Sequence, residues 1–423
     1  MSSIKEKLRA LENQVERKPL HFAKPAISRS GDVPELEASF VENEHGVCLV
    51  REKKFSMTHV HGVKLAEFLQ LSGEHLSLIG KDPRLVQLSP EDVVFLDTET
   101  TGLAGGTGTY IFLLGLGTFA KDCFVVKQFL MTDYSQEAAF LQEISTGLSD
   151  KQGIISYNGK SYDIPLLRTR FTINRMASHL DHMHHLDLLF TARRLWRRAI
   201  TSCSLVNVER HILGFRRNGD IPGAEIPEIF FRFLKTENYE LIKPICQHNA
   251  IDIVSMVSIA VKAHRVFAAQ SESRTPDYDI YGIVKTLEDL GLYEKASDSI
   301  TRHMNRSEEK ESWKLLLRKA QQMKKLGRFD EAEKLWCQVI GQSREFILEP
   351  HLELAKCYEH RLGKIDMALN IVDRAIKRLA ISSELNRSSS LDKELVSYKH
   401  RQNRLVRKKN RIDRIKNKED VVY

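Results

Sequence analysis

The chain has 423 residues, of which 42% are hydrophobic and 28% charged, and its formal net charge is +8. No apolar run approaches the roughly 18 to 20 residues that cross a bilayer, and the charged N-terminal stretch lacks the apolar core of a signal peptide. The six cysteines form no CxxC pair, which favours reduced thiols. These features argue against a membrane protein and predict a cytoplasmic protein of two or three domains.

Residues 1–90 are predicted to form an N-terminal extension. A charged amphipathic helix comes first, followed by a proline-containing linker. The alternating segment HGVCLVREKKF then predicts a strand, and VKLAEFLQL predicts a short helix. No residue pattern in this extension indicates chemistry.

Residues 91–265 are predicted to form an α/β domain, because short apolar runs alternate with amphipathic stretches. Three consecutive strands, a helix and a further strand favour a mixed sheet flanked by helices. In chain order the predicted strands are VVFLDTE, TYIFLLGLGTF, FVVKQFLM and GIISYN, and the predicted helices are SQEAAFLQEISTGL, IPLLRTRF and LDLLFTARRLWRRA.

Two carboxylates follow the apolar run of the first of these strands, in VVFLDTETTG. Side chains alternate along a strand, so Asp97 and Glu99 are predicted to point to the same side. Two like charges at that separation raise each other's pKa unless a cation lies between them. The pair therefore predicts a cation site at the end of the strand.

A third carboxylate stands at a predicted helix start, in ISYNGKSYDIPLLRTRF. Asn158 and Gly159 indicate a turn, after which Asp163 precedes Pro165 near the first helical turn. An aspartate in that position is either a simple N-cap or a member of a functional site.

A fourth carboxylate interrupts the predicted apolar helix ICQHNAIDIVSMVSIAVKAH. His248 and Asp252 are four residues apart and therefore share one helix face. Because a carboxylate inside an apolar helix is costly unless it is paired or bound to a metal, Asp252 is a candidate site residue.

Residues 278–385 contain an internal repeat. Glycines recur every 36 residues at Gly291, Gly327 and Gly363, and alanines recur at the same interval, at Ala296, Ala332 and Ala368. The glycine permits a tight turn, and the alanine allows two helices to approach closely. The pattern predicts helical hairpins and resembles a tetratricopeptide array.

Residues 386–423 are predicted to form a basic C-terminal tail. The stretch from 399 to 418 holds ten Lys or Arg and one Asp, whereas the rest of the chain is close to neutral. Such a run suits contact with nucleic-acid phosphates, and the alternative is a solvated terminus without a partner.

Taken together, Asp97, Glu99, Asp163 and Asp252 would supply four hard oxygen ligands. Such ligands favour Mg²⁺ or Mn²⁺, and two ions held by them could support an in-line phosphoryl displacement. His248 would then be placed to take a proton from the attacking water.

The segments FLDTETTG, YNGKSYDIPLL and HNAID resemble the three motifs of the DEDD (DnaQ-like) exonucleases of the ribonuclease H-like superfamily. More narrowly, the chain resembles the YprB type, also called the mitomycin repair factor B type, which adds tetratricopeptide repeats. The resemblance implies a 3′–5′ exonuclease with two metal ions. It implies that Asp97, Glu99 and Asp252 are direct metal ligands, that Asp163 acts directly or through water, and that His248 is the general base.

One spacing departs from that family pattern. The histidine branch usually places its histidine five residues before the last aspartate, whereas His248 and Asp252 are four apart, as in the tyrosine branch. Tyr157 and Tyr162 are therefore alternatives to His248.

The expected activity is exonucleolytic cleavage of DNA, with a role in repair that the resemblance implies. RNA 3′ exonuclease activity and a non-catalytic nucleic-acid-binding or tetratricopeptide adaptor are the alternatives. The expected partners are nucleic acid, DNA before RNA, and a protein bound by the helical repeats, such as a helicase or repair factor; no membrane contact is expected.

Overall fold

The computed structural model describes residues 31–102, 108–268, 278–306, 313–343, 346–386 and 389–419. The predicted N-terminal helix therefore lies outside the described residues. Within these ranges eight strands form one sheet. They are β1 (Asp32–Val33), β2 (Ala38–Asn43), β3 (Gly46–Ser56), β4 (Val93–Thr100), β5 (Ile111–Phe119), β6 (Cys123–Leu130), β7 (Gly153–Ser156) and β8 (His184–Asp187).

The sheet is mixed, as predicted, in the order β1-β2-β3-β6-β5-β4-β7-β8. Neighbours from β1 through to β4 are antiparallel. The pairs β4–β7 and β7–β8 are parallel, and each needs a crossover, which helices provide. The strand β4 thus lies inside the sheet, between β5 and β7.

The sheet begins earlier in the chain than the predicted α/β domain does. β3 pairs along its length with β6, with Leu49 opposite Leu130 and Phe55 opposite Phe124. Cys48, Leu49 and Val50 are buried in the hydrophobic cluster that also contains Phe129 and Phe140. The segment before residue 91 is therefore part of the same sheet in the structure and not a separate extension.

Helices cover both faces of the sheet. The long helix α7 (Lys243–Phe267) crosses β4 and β5 at close range because Gly115 and Gly117 leave room for it. A Cβ at Gly115 would lie 2.3 Å from the Oδ1 atom of Asn249, and one at Gly117 would lie 2.4 Å from Ile253. The helices here are α1 (Gly73–Gly80), α2 (Glu137–Leu148), α3 (Asp163–Ile173), α4 (Leu188–Trp196), α5 (Leu205–Val208), α6 (Ile226–Thr236) and α7 (Lys243–Phe267).

An all-helical region follows, as the sequence predicts. The repeated glycines end helices with positive φ angles of 74°, 77° and 66°, and the repeated alanines are fully buried. No helix in the described ranges is long and apolar enough to cross a membrane. The helices are α8 (Ile280–Asp289), α9 (Tyr293–Arg306), α10 (Trp313–Lys325), α11 (Phe329–Gln342), α12 (Leu348–His360), α13 (Ile365–Asn386) and α14 (Ser389–Glu419).

The first helical hairpin packs directly on the sheet domain. Ile283 and Val284 of α8 belong to the same hydrophobic cluster as α4 and α7. The approach is so close that a Cβ at Gly282 would lie 1.9 Å from the carbonyl oxygen of Arg194. An ion pair between Lys81 and Asp289 spans the same junction. The helical region is therefore anchored to the sheet domain through buried contacts.

The predicted basic tail is helical in its described part and packs on the preceding helix. Its described part forms the 31-residue helix α14, which packs against α13. Tyr398 and Leu405 are buried against the preceding helices, and Arg404 pairs with Glu359. Apolar residues spaced along the basic run bury one face of it, which makes the run the last helix of the array.

Candidate active site

The end of β4 presents its two carboxylates to α7, as the alternation of the strand predicts. The Nδ2 atom of Asn249 donates to Asp97 Oδ2 at 2.8 Å and to the Asp97 carbonyl oxygen at 3.2 Å. The Nε2 atom of His248 lies 4.0 Å from Glu99 Oε1. Asp97 and Glu99 therefore both face the same helix.

Asp163 contacts the same strand from the start of a different helix. It is the first residue of α3 and follows a turn in which Asn158 has a positive φ of 69°. Its carboxylate accepts a hydrogen bond from the hydroxyl of Thr98, and the residue is only 7% exposed. Because the side chain points to β4, Asp163 is more than a local N-cap.

The face of α7 that meets β4 carries the predicted His248 and Asp252. The Nε2 atom of His248 lies 3.8 Å from Asp252 Oδ2. Their side chains are 12% and 15% exposed, so both are largely buried but keep some contact with solvent. The structure thus brings all five predicted site residues to the acidic end of β4.

The hydroxyl groups of the two alternative tyrosines hydrogen-bond to backbone carbonyl oxygens, and that of Tyr162 also lies 3.1 Å from the Oγ1 atom of Thr100 at the end of β4. The hydroxyl of Tyr157 donates to the carbonyl oxygen of Cys203 at 2.5 Å, and that of Tyr162 donates to the carbonyl oxygen of Gly102 at 2.5 Å. The imidazole of His248, in contrast, lies within 4.0 Å of the carboxylates of both Glu99 and Asp252.

Burial is the largest cause of a raised pKa at all four carboxylates. Burial, followed by the charges of neighbouring carboxylates, holds the pKa of Asp97 and that of Glu99 well above their usual range. Burial also raises the pKa of Asp163 to about 6, against a hydrogen bond from Thr98 that lowers it. The pKa of Asp252 is raised by burial, with Arg217 opposing the shift. The site therefore holds more negative charge than its own cations offset.

Arg217 is the main cation that the structure places in this site, and the sequence motifs do not include it. Its guanidinium makes paired hydrogen bonds to Glu209, at 2.7 and 2.5 Å, and contacts Asp220 at 3.0 Å. It also pairs with Asp252. The Arg217 side chain is only 4% exposed, so this network is buried. Through the pair with Asp252 it links the loop before α6 to α7.

Asp220 is the second residue that the motifs miss. Its Oδ1 atom lies 2.8 Å from the Nδ1 atom of His248. With Nδ1 engaged in this way, a neutral His248 carries its proton on Nδ1 and directs the unprotonated Nε2 toward Glu99 and Asp252. Asp220 therefore orients the imidazole for accepting a proton on the side of the carboxylates.

The donor set suits hard divalent cations, although its present contacts are to protein groups. Within the described ranges, no group of three or more His, Cys, Asp and Glu side chains is arranged so that it could hold a metal ion. Arg217, Asn249 and Thr98 instead contact Asp252, Asp97 and Asp163. Clustered carboxylates with raised pKa values are what Mg²⁺ or Mn²⁺ would stabilise, so the chemistry of the residues fits such ions.

The pKa shift of Asp163 gives a prediction for the metal-free protein. Because its pKa rises from 3.8 to about 6 on folding, its contribution to stability is full below pH 3.8 and is lost as the pH rises through 6. Replacing Asp163→Asn removes this titration. We expect the EDTA-treated variant to gain roughly 1 to 3 kcal/mol over the wild type by pH 7 and to gain nothing near pH 4. Urea unfolding across this pH range would measure the difference, and a difference independent of pH would contradict it.

Comparison with known proteins places the sheet domain in a superfamily. Residues 94–264 match the RNase_H_2 family of the RNase_H superfamily. This match spans β4 to α7 and contains all five predicted site residues. The mixed sheet and its flanking helices thus form a ribonuclease H-like fold.

A relative of nearly the same extent gives the narrower assignment. The uncharacterised protein YprB of Bacillus subtilis (strain 168) is 32% identical over 351 residues, which cover 81% of this chain and 83% of the relative. The chain belongs to the family of YprB.

A solved structure gives a weaker likeness. The family B DNA polymerase of the archaeon Pyrobaculum calidifontis matches with 14% identity and a TM-score of 0.34. The match covers 48% of this chain and only 28% of the polymerase chain. A likeness at this level is too weak to carry a functional conclusion.

Proposed function

We propose that this chain is a metal-dependent nuclease that removes nucleotides from the 3′ ends of DNA. The observation that carries the proposal is the meeting of Asp97, Glu99, Asp163 and Asp252 at one end of β4, within a ribonuclease H-like fold. A purely structural domain would gain nothing from four buried carboxylates with raised pKa values.

The four carboxylates are the groups that would hold two Mg²⁺ or Mn²⁺ ions. Such ions supply charge stabilisation to the attacking and leaving oxygens of a phosphodiester. The residues of the chain have separate roles. His248 accepts the proton of the attacking water at Nε2, because Asp220 holds its other nitrogen. Arg217 limits the repulsion around Asp252 and fixes the loop that carries Asp220.

The choice of DNA and a repair role rests on the resemblance of the sequence motifs to the DEDD exonucleases of the YprB type. RNA is the alternative substrate, since no contact among the described residues indicates selection for or against a 2′-hydroxyl group. The helical region, interpreted as tetratricopeptide-like repeats, would bind a protein partner such as a helicase or repair factor.

The test is the degradation of 5′-labelled DNA and RNA strands by the purified protein with Mn²⁺, Mg²⁺ or EDTA. A nuclease of the proposed kind produces a ladder that shortens from the 3′ end, needs the metal and favours DNA. A ladder on RNA alone would change the substrate to RNA. Tight binding without cleavage under any metal would replace the enzyme with a non-catalytic adaptor.

A further inference from the structure

A cavity of about 530 Å³ opens in the helical region, away from the carboxylate site. Its volume falls in the range of ordinary ligand sites. Four helices, α10, α11, α12 and α14, contribute to its wall. The residues lining it are Lys324, Phe329, Trp336, Glu353, Lys356, Cys357, His360, Arg361, Arg401 and Arg404.

The lining of this cavity is strongly basic. Five of the lining residues are Lys or Arg, and only one, Glu353, is acidic. A second carboxylate, Glu359, lies behind the wall with a side chain that is 3% exposed. Counting both carboxylates, five positive charges face two negative ones, which leaves a net charge of +3 around the cavity.

Ion pairs with the two carboxylates fix the positions of four of these five cations. Glu353 pairs with both Lys324 and Lys356, and its side chain is 13% exposed, against 44% and 40% for the two lysines. Glu359 likewise pairs with Arg401 and Arg404. The acids are thus more buried than the cations: Lys324, Lys356 and Arg404 keep 40 to 46% of their side chains exposed, and Arg401 keeps 17%. Such an arrangement is preorganised to bind an anion.

A cation–π pair forms another part of the cavity wall. The guanidinium of Arg361 lies over the ring of Phe329, 5.1 Å from its centroid, and neither group is fully buried. Arginine stacked on an aromatic ring offers a flat surface beside the phosphate-binding cations, which suits an unpaired base.

We propose that this cavity binds the phosphodiester backbone of single-stranded nucleic acid. The inference rests on the proposed function, and it adds a second contact for the same substrate at the helical region. The basic surface does not end at the cavity: along α14 it continues through the exposed Arg407 and Arg411 to Arg414. From Arg401 to Arg414 the helix rises about 20 Å, which spans several phosphates of an extended strand. A long polyanion matches this continuation better than a short acidic peptide does.

The test compares two variants that each lose two positive charges. Lys356→Gln with Arg404→Gln removes two cavity cations and leaves each carboxylate a Lys or Arg partner, Lys324 for Glu353 and Arg401 for Glu359. Lys377→Gln with Lys399→Gln removes two exposed charges that do not line the cavity, and it serves as the control.

Binding is measured by fluorescence anisotropy with a labelled oligothymidylate in EDTA, over a series of salt concentrations. We expect the cavity variant to bind at least about tenfold more weakly and to lower the slope of log Kd against log salt by about 1.4, and the control to stay within about twofold. Because no cleavage is needed, a protein that lacks nuclease activity still gives a result here.

Two outcomes would overturn the proposal. Equal weakening in both variants would mean that net charge and not the cavity governs binding. Unchanged binding in the cavity variant would remove the cavity from the substrate path, and if polyglutamate then bound in a cavity-dependent way, the ligand would be an acidic peptide. Circular dichroism and thermal unfolding of both variants would show that the helical region is folded.

Discussion

Replacing Asp97→Asn is expected to abolish cleavage while leaving the fold intact. The amide keeps the size of the carboxylate and can still accept the hydrogen bond from Asn249. It removes one of the charges through which the site would hold a metal ion. We expect the single-turnover rate with Mn²⁺ to fall by a factor of at least about 10³, as for the loss of a metal ligand in a two-metal site. The stabilisation that Mn²⁺ gives the wild type in thermal unfolding should disappear as well.

The control for this variant is Asp122→Asn, in the exposed turn before β6. It changes the net charge by the same amount at a position far from the carboxylates in the sheet. The control should cleave and respond to Mn²⁺ as the wild type does. If the Asp97 variant were still stabilised by Mn²⁺ to the wild-type extent, the ions would have to bind elsewhere, and the proposed site would be wrong.

Replacing Arg217→Met is expected to have the largest effect on stability. Glu209 is fully buried, and the guanidinium of Arg217 supplies its paired hydrogen bonds. Removal of one partner of a buried ion pair typically costs 3 to 5 kcal/mol because the other charge remains uncompensated. Here Asp252 loses its cation in the same step. Urea unfolding of the metal-free protein would measure this loss of about 3 to 5 kcal/mol.

Two further variants test whether the loss of stability comes from the buried pair of Arg217 with Glu209 or from the removal of any arginine. Arg216→Met, on the exposed neighbour, should change the free energy of unfolding by less than about 0.5 kcal/mol. Glu209→Gln combined with Arg217→Met should recover much of the loss, since the amide needs no counter-charge and can still accept from Ser255. If this double variant were no more stable than Arg217→Met alone, the pairing with Glu209 would not be the cause.

The sequence predicts the elements around the carboxylates well, because each has a strong local period. The alternation of β4 places Asp97 and Glu99 on one side, and the helical spacing of His248 and Asp252 places them on one face. Their meeting could be expected only from the motif resemblance, since no local pattern specifies which helix crosses which strand. Asn249 lies within the motif HNAID, and its amide in an apolar helix is a signal for a buried partner.

Other parts of the structure carry no local signal of this kind. Arg217 and Asp220 lie in an irregular loop whose position depends on pairing with Glu209, a contact of tertiary structure. The strand β8 has four residues, HHLD, too few for a period to emerge. The basic run of α14 has the composition of a solvated tail, and only the burial of Tyr398 and Leu405 reveals its packing.

The junction at α8 affects how the chain unfolds. Ile283, Val284 and Leu287 complete the hydrophobic cluster that α4 and α7 begin, so neither part covers its own apolar surface alone. A fragment that ends at residue 268 would expose that surface to water and would be prone to aggregate. The nuclease-like domain and the first helical hairpin should therefore melt in one cooperative transition. Substitutions on the buried face of α4 would accordingly change the stability of both parts together.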